Sequence, residues 1–218
     1  MKNAVLTISS KNYGAWALRG WLMAKLSGVP FEEKIIPPDD PSMRAEMLLL
    51  SPSFRVPSLE HGGNLVWDTL AIGEYLNEVK PKAGLLPQGV SARAHCRSIC
   101  GEMHSGFNAL RSALPMNIKG DYPDFKVWSR AQADIDRILE IWTECINAYG
   151  GPFLFGEKPC MADAMFAPVV TRFRTYHVKL PQVCQMYADT LWNLPEMQEW
   201  IAAARTEPDE IDELDAEF

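Results

Sequence analysis

No cysteine occurs before Cys96, and this gap removes one class of chemistry from the first half of the chain. A disulfide exchanger needs a low-pKa thiol at the start of a helix, and none is available there. The five cysteines are Cys96, Cys100, Cys145, Cys160 and Cys184, an odd number that argues against a complete internal disulfide framework. Cys96 and Cys100 share a helix face at i, i+4. With no other ligand cluster beside them, they read as small buried side chains and not as half of a metal site. Long apolar runs are also missing: nothing approaches the roughly 20 residues a membrane helix requires. The opening Met1–Ile8 has no apolar signal region or cleavage site, so a cytoplasmic location without membrane contact is expected. A basic stripe is absent too. Lys and Arg number 21 against 28 Asp and Glu, a formal charge of −7, which argues against a nucleic-acid partner. Seven of those acids lie in Thr206–Phe218, which holds no Lys or Arg, and the remaining 21 acids balance the 21 bases. The segment reads as a solvated or disordered acidic tail.

What is present is a chain of 218 residues with 47% hydrophobic content, enough for one large domain or two small ones. Residues 4–8 alternate as a strand. A loop from Ser9 to Gly14 leads into a helix from about Gly14 to Leu26, stopped by Gly28, and Phe31–Ile36 follows as a second strand. Strand–helix–strand at this spacing predicts a parallel pair with a right-handed crossover. After a Pro-rich loop, Met43–Leu50 reads as a short helix stopped by Pro52.

The most informative stretch runs from Leu50 to Ile72. Pro57 stands where a strand should begin and cannot donate to a ladder, which makes Val56–Pro57 a candidate cis bond. Ser58–Glu60, a turn at His61–Asn64 carrying Gly62 and Gly63, and Asn64–Trp67 predict a hairpin. Asp68 is a natural N-cap for the helix that follows, whose free N–H groups form an anion site. The Pro- and Gly-rich segment 81–90 reads as a linker between a first domain (residues 1–80) and a second (91–205), with the acidic tail at 206–218. The second domain is helical by pattern, with predicted helices over 91–114, 125–149, 162–176, 182–191 and 195–204.

Val-Pro, a hairpin, then acid-hydroxyl-x-Ala-Ile resembles the glutathione-binding half of the cytosolic glutathione transferases. The segment Gly156–Asp163 is similar to the opening of a core helix of their second domain, with Cys160 where that family has a capping hydroxyl and Asp163 retained. A thiol is a poor capping acceptor, so half of the reciprocal cap is expected to be weakened. The resemblance implies a thioredoxin-like βαβ-α-ββα domain followed by an all-α bundle, hence an α/β plus all-α chain, a homodimer, and glutathione as co-substrate with no metal. It also implies that Arg55, Val56 and Pro57 meet the cysteinyl part of glutathione, while Asp68 and Thr69 hold its γ-glutamyl end.

Zeta-class transferases open their first helix with Ser-Ser-x-Ser-x-Arg. Aligned without a gap through Arg19 and Gly28, this chain reads Gly14-Ala15-Trp16-Ala17-Leu18-Arg19. The arginine remains and every motif serine is gone, which predicts weak activation of the glutathione thiol and slow conjugation at neutral pH. Candidate substitutes are the Asn12 amide, the Ser10 hydroxyl (or that of Ser9), the Tyr13 phenol and the Gly14 N–H. The structural readings stand slightly ahead for two of these, Asn12 as a helix cap and Tyr13 as loop packing, and Arg19 reads as a structural ion-pairing residue before a substrate ligand. The implied acceptor pocket is lined by Tyr13, Trp16, Met103, His104, Phe107 and Arg111. For Met103 and Phe107 core packing is the stronger reading, and Arg111 could meet an acidic substrate or cap a helix. Three functions follow: conjugation of glutathione to a small apolar electrophile as the first, a zeta-like glutathione-dependent isomerisation as its alternative, and non-catalytic glutathione binding.

Overall fold

Helix α1 (Ala15–Ser27) is buried on nearly every side, with Leu18, Trp21, Leu22 and Met23 fully enclosed, and the two halves of the chain are built around it. Its apolar residues are not confined to one stripe, as expected of a helix covered all round. The structure, a computed structural model, describes residues 4–36 and 56–208. The expected helix 43–50, Arg55 and the last residues of the tail lie outside the described residues.

On one side of α1 lies a four-stranded sheet of β1 (Ala4–Ile8), β2 (Phe31–Ile35), β3 (Ser58–His61) and β4 (Asn64–Trp67) in the order β2-β1-β3-β4. β1 and β2 are parallel, while β1–β3 and β3–β4 are antiparallel. Gly62 and Gly63 take positive φ at the hairpin turn, which side chains there would resist. The Val56–Pro57 bond is cis, as the sequence suggested. Helix α1 approaches this turn closely: a Cβ on Gly20 would lie 2.5 Å from Pro57 Cγ. Helix α2 (Thr69–Val79) packs beside α1 and closes the first half.

A single 3₁₀ turn (Pro81–Ala83) precedes the helical half: α3 (Val90–Ser105), α4 (Asn108–Ala113), α5 (Ser129–Tyr149), α6 (Met161–Thr175), α7 (Gln182–Trp192) and α8 (Pro195–Thr206). The expected helix over 91–114 is two helices. The break falls at Gly106, which is extended, and Phe107, which is left-handed at φ 60. Helix α5 starts at Ser129, later than the expected 125, after a non-helical stretch containing Pro115 and Pro123. Helix α6 is almost wholly buried and packs on α1 and α3, joining the halves through one continuous core. Its capping carboxylate is in place: Asp163 Oδ2 accepts the Cys160 N–H at 2.8 Å and Oδ1 the Leu154 N–H at 3.1 Å. Burial raises the Asp163 pKa from its usual range, and the donated N–H groups offset part of that. All five cysteines are free and buried.

Candidate active site

Asp68 opens α2 at φ 74, an uncommon value for a residue with a side chain, and one that concentrates at functional sites. Its Oδ1 accepts the N–H of Leu70 at 2.9 Å, the N-cap contact the sequence predicts. Its Oδ2 faces the other half of the molecule, 3.1 Å from His104 Nε2 near the end of α3. The neighbouring Thr69 is 1% exposed, and its hydroxyl has no hydrogen-bond partner among the described residues.

The His104 ring stands edge-on to Trp16, centroids 4.9 Å apart. The Trp16 indole is also flanked by two guanidinium groups, Arg19 at 4.5 Å and Arg111 at 5.0 Å from the ring centroid. Such stacking suits Arg, whose planar cation is weakly hydrated. Arg111 Nη2 donates to the main-chain carbonyls of Met103 and His104, capping the end of α3, while its Nε is buried without a partner among the described residues. Arg19 Nε donates to the carbonyl of Met165, and Arg172 Nε to that of Leu114 at 2.8 Å. Among the described residues none of the three arginines has a carboxylate at ion-pair distance. Burial pushes the Arg19 pKa well down, with Arg111 and Arg172 adding repulsion. Burial likewise pushes Arg172 down to about 10, with Arg111 contributing, and lowers Arg111, which the more distant Asp134 partly offsets. The ion-pairing role expected of Arg19 is therefore not met among the described residues, and Arg172 had no expected role. An arginine in the buried run Val169–Phe173 was the available signal.

The candidate thiol activators are arranged differently from the sequence expectation. Asn12 is fully buried: its Nδ2 donates to Asn117 Oδ1 and its Oδ1 accepts the Lys119 N–H, both at 3.0 Å, so its amide joins the two halves of the chain. The Ser10 hydroxyl is 2.7 Å from Glu207 Oε2, to which it donates, and it accepts the N–H groups of Asn12 and Tyr13. The Gly14 N–H is bound by the Ser10 carbonyl at 3.0 Å, so it is turned into its own loop. Asn12, Ser10 and Gly14 therefore build the β1–α1 loop, and their polar groups are committed to it and to the helical half. Glu207, assigned by composition to the solvated tail, is part of the same network. In the expected pocket, Trp16, His104 and Arg111 come together, and Tyr13 is half-buried one residue before Gly14. Met103 at 1% and Phe107 at 7% exposure belong to the core, where packing takes them.

Two family models cover most of this chain: the glutathione S-transferase N-terminal domain over residues 13–79 and the C-terminal domain over residues 101–203. The chain belongs to the glutathione S-transferase family. The first match contains Trp16, Arg19, Asp68 and Thr69, and the second His104, Arg111 and Arg172, so the cluster is assembled from both transferase domains. The Drosophila melanogaster protein named "Probable maleylacetoacetate isomerase 2" is 31% identical over 131 residues, 60% of this chain. That match spans only 56% of the Drosophila protein's own length. The Rattus norvegicus maleylacetoacetate isomerase is 28% identical over 169 residues, 76% of each chain. Among solved structures, a Burkholderia glutathione transferase homologue with bound glutathione superposes with a TM-score of 0.72 at 25% identity, covering 94% of this chain and all of that one. A bacterial zeta-class transferase, maleyl pyruvate isomerase, gives the same TM-score at 19% identity, covering 95% of this chain and 100% of its own, a likeness of fold.

Proposed function

We propose that this transferase is a glutathione-dependent isomerase of a small conjugated acid, the alternative reading of the sequence, in preference to conjugation of apolar electrophiles. One observation carries it. Five buried side-chain polar atoms lack a partner among the described residues; two of them, His104 Nδ1 and Arg111 Nε, belong to the contact chain Asp68–His104–Trp16–Arg111, and a third, Thr69 Oγ1, is on the residue that follows Asp68. An unmade buried hydrogen bond costs about 1–3 kcal/mol, and concentrating that cost at one place marks a site a ligand completes.

The residues fit glutathione and an acidic partner. Thr69 and the α2 amino end suit the γ-glutamyl carboxylate, and Asp68 suits its ammonium group. Arg55, outside the described residues, and Val56 and Pro57 keep their proposed place along the cysteinyl part. The cations beside Trp16 suit the electrophile's carboxylate, which an apolar acceptor would leave unmatched. The same positive charge at the amino end of α1 favours glutathione's thiolate without a hydroxyl. The thiolate adds to the conjugated double bond, the resulting single bond rotates, and elimination of the same thiolate restores the double bond in its trans form, with glutathione regenerated. Names of relatives support the reading: the rat protein is called maleylacetoacetate isomerase and the Drosophila one "Probable maleylacetoacetate isomerase 2".

A homodimer remains part of the proposal, and light scattering of the purified protein tests it. Non-catalytic glutathione binding is the second reading, favoured by the closed surroundings of Gly14. The deciding experiment supplies a cis-configured unsaturated diketo acid with catalytic glutathione. Formation of the trans acid with no loss of thiol supports the isomerase. Thiol consumption on apolar electrophiles without isomerisation returns the reading to conjugation, and glutathione binding with no turnover of either kind selects the binder.

A further inference from the structure

The β1–α1 loop presents three donors to one carboxylate that arrives from the far end of the chain. Glu207, one residue beyond α8, accepts the Lys11 N–H at 2.6 Å on Oε1, and on Oε2 the Asn12 N–H at 3.0 Å and the Ser10 hydroxyl at 2.7 Å. Successive main-chain N–H groups converging in this way form an anion nest. The network continues inward: Ser10 Oγ accepts the Tyr13 N–H at 3.1 Å, and the Ser10 carbonyl accepts the Gly14 N–H at the start of α1. One chain of hydrogen bonds thus runs from Glu207 to the N-cap of α1.

We infer that Glu207 is a positioning residue for thiol activation, its carboxylate holding the β1–α1 loop in the form that sets the first turn of α1 against glutathione's sulfur. This rests on the glutathione-dependent reading above. The lysines around Glu207 have other duties. Lys11 Nζ pairs with Glu33 and lies 5.4 Å from the Trp200 ring centroid, while Lys119 Nζ bonds the Glu207 carbonyl and not its carboxylate. Amides and a hydroxyl therefore bind the Glu207 charge, and such an arrangement reads both oxygens as acceptors. A carboxamide offers one acceptor and turns donors on the other side. Loss of Glu207 leaves the loop tied by Asn12 to Asn117 and Lys119 and by the Trp200 Nε1 bond to the Lys11 carbonyl, so the fold survives while its geometry relaxes.

The test compares wild type, Glu207→Ala and Glu207→Gln by the ultraviolet thiolate absorbance of bound glutathione at one neutral pH, with binding by calorimetry and thermal melting alongside. The expected result is a cooperative melt for all three and a thiolate band reduced on the order of tenfold in Glu207→Ala, as a rise of about one unit in the bound thiol's pKa would give. Acetate or formate, filling the vacated nest, should restore the band in Glu207→Ala and do nothing to wild type, and Glu207→Gln should fall between. A band unchanged in Glu207→Ala while the melting temperature drops makes Glu207 a structural clasp only and overturns the inference, as does a lost band that neither acid restores. Wild type that binds no glutathione overturns the function proposed above and this inference with it. Wild type that binds it without any thiolate band overturns this inference alone.

Discussion

Asp68 and His104 meet across the seam between the two halves of the chain, Oδ2 to Nε2 at 3.1 Å, while the other Asp68 oxygen caps α2. One carboxylate therefore starts a helix and reaches the second domain. Asp68→Asn keeps an oxygen for the cap and loses the charge. It should weaken glutathione binding by about 1.5–3 kcal/mol, the scale of a charge-assisted bond. Asp68→Ala should additionally lose about 0.5–2 kcal/mol of stability with the cap. Calorimetry and urea denaturation read the two effects separately, and equal glutathione affinity in all three proteins removes Asp68 from the site.

Thr69→Val isolates the neighbouring hydroxyl. The oxygen is buried with no partner among the described residues, so replacing it by a methyl of similar shape should stabilise the unliganded protein by about 1 kcal/mol. Glutathione affinity should fall in the same variant, because the γ-glutamyl carboxylate loses the donor proposed for it. Stability and affinity moving in opposite directions is the signature. Their moving together assigns Thr69 a purely structural role.

The first domain was largely legible because its signals are local. Gly62-Gly63 set a hairpin, Asp68 a cap and Gly28 a helix end, each through the conformation that residue type favours. The break at Gly106-Phe107 was missed because Met103, Phe107 and Leu110 keep helical spacing across it. Trp16, His104 and Arg111 were nominated together, since the first helix and the end of α3 border the expected pocket. Asn12 and Ser10 were read as chemistry because the bonds that commit them come from Asn117, Lys119 and Glu207, far away in sequence. Arg172 was passed over for a related reason: its place in an apolar run was the one local signal, and what gives it meaning, burial beside Arg111, comes from a residue far away in sequence.

Restoring a hydroxyl at position 14 is the obvious repair of the missing serine motif, and the structure argues against it. A Cβ on Gly14 would lie 2.2 Å from the Ser10 carbonyl oxygen and 2.7 Å from Ser9 Oγ, contacts that require the backbone to move. Gly14→Ser should cost about 1–3 kcal/mol, as overpacking does, with no gain in turnover at neutral pH. Denaturation midpoints and a glutathione-dependent rate decide it. A Gly14→Ser protein as stable as wild type and faster would mean that the loop takes another path.

Arg111 separates the two catalytic readings most cleanly. Its guanidinium stacks on Trp16, caps α3 through Nη2 and leaves Nε buried without a partner among the described residues, the donor proposed for a substrate carboxylate. Arg111→Lys keeps a cation but loses the planar fork and the stacking. Losing one charged hydrogen bond, about 1.5–3 kcal/mol, should raise KM for an acidic electrophile roughly 10- to 100-fold. KM for glutathione should hardly change in Arg111→Lys or Arg111→Met, because Thr69 and Asp68 are the residues proposed to carry its γ-glutamyl end. Arg111→Met also removes the charge that pushes down both Arg19 and Arg172. Relief of that repulsion opposes the lost α3 cap, so the unliganded protein should change in stability by less than about 1 kcal/mol, the scale of one neutral hydrogen bond. Steady-state kinetics on an acidic and a neutral electrophile, with urea denaturation of each variant, provide the check. If Arg111→Met slows both electrophiles equally, Arg111 acts on the thiol and not on the substrate acid, and selectivity for an acidic substrate must come from elsewhere in the cleft.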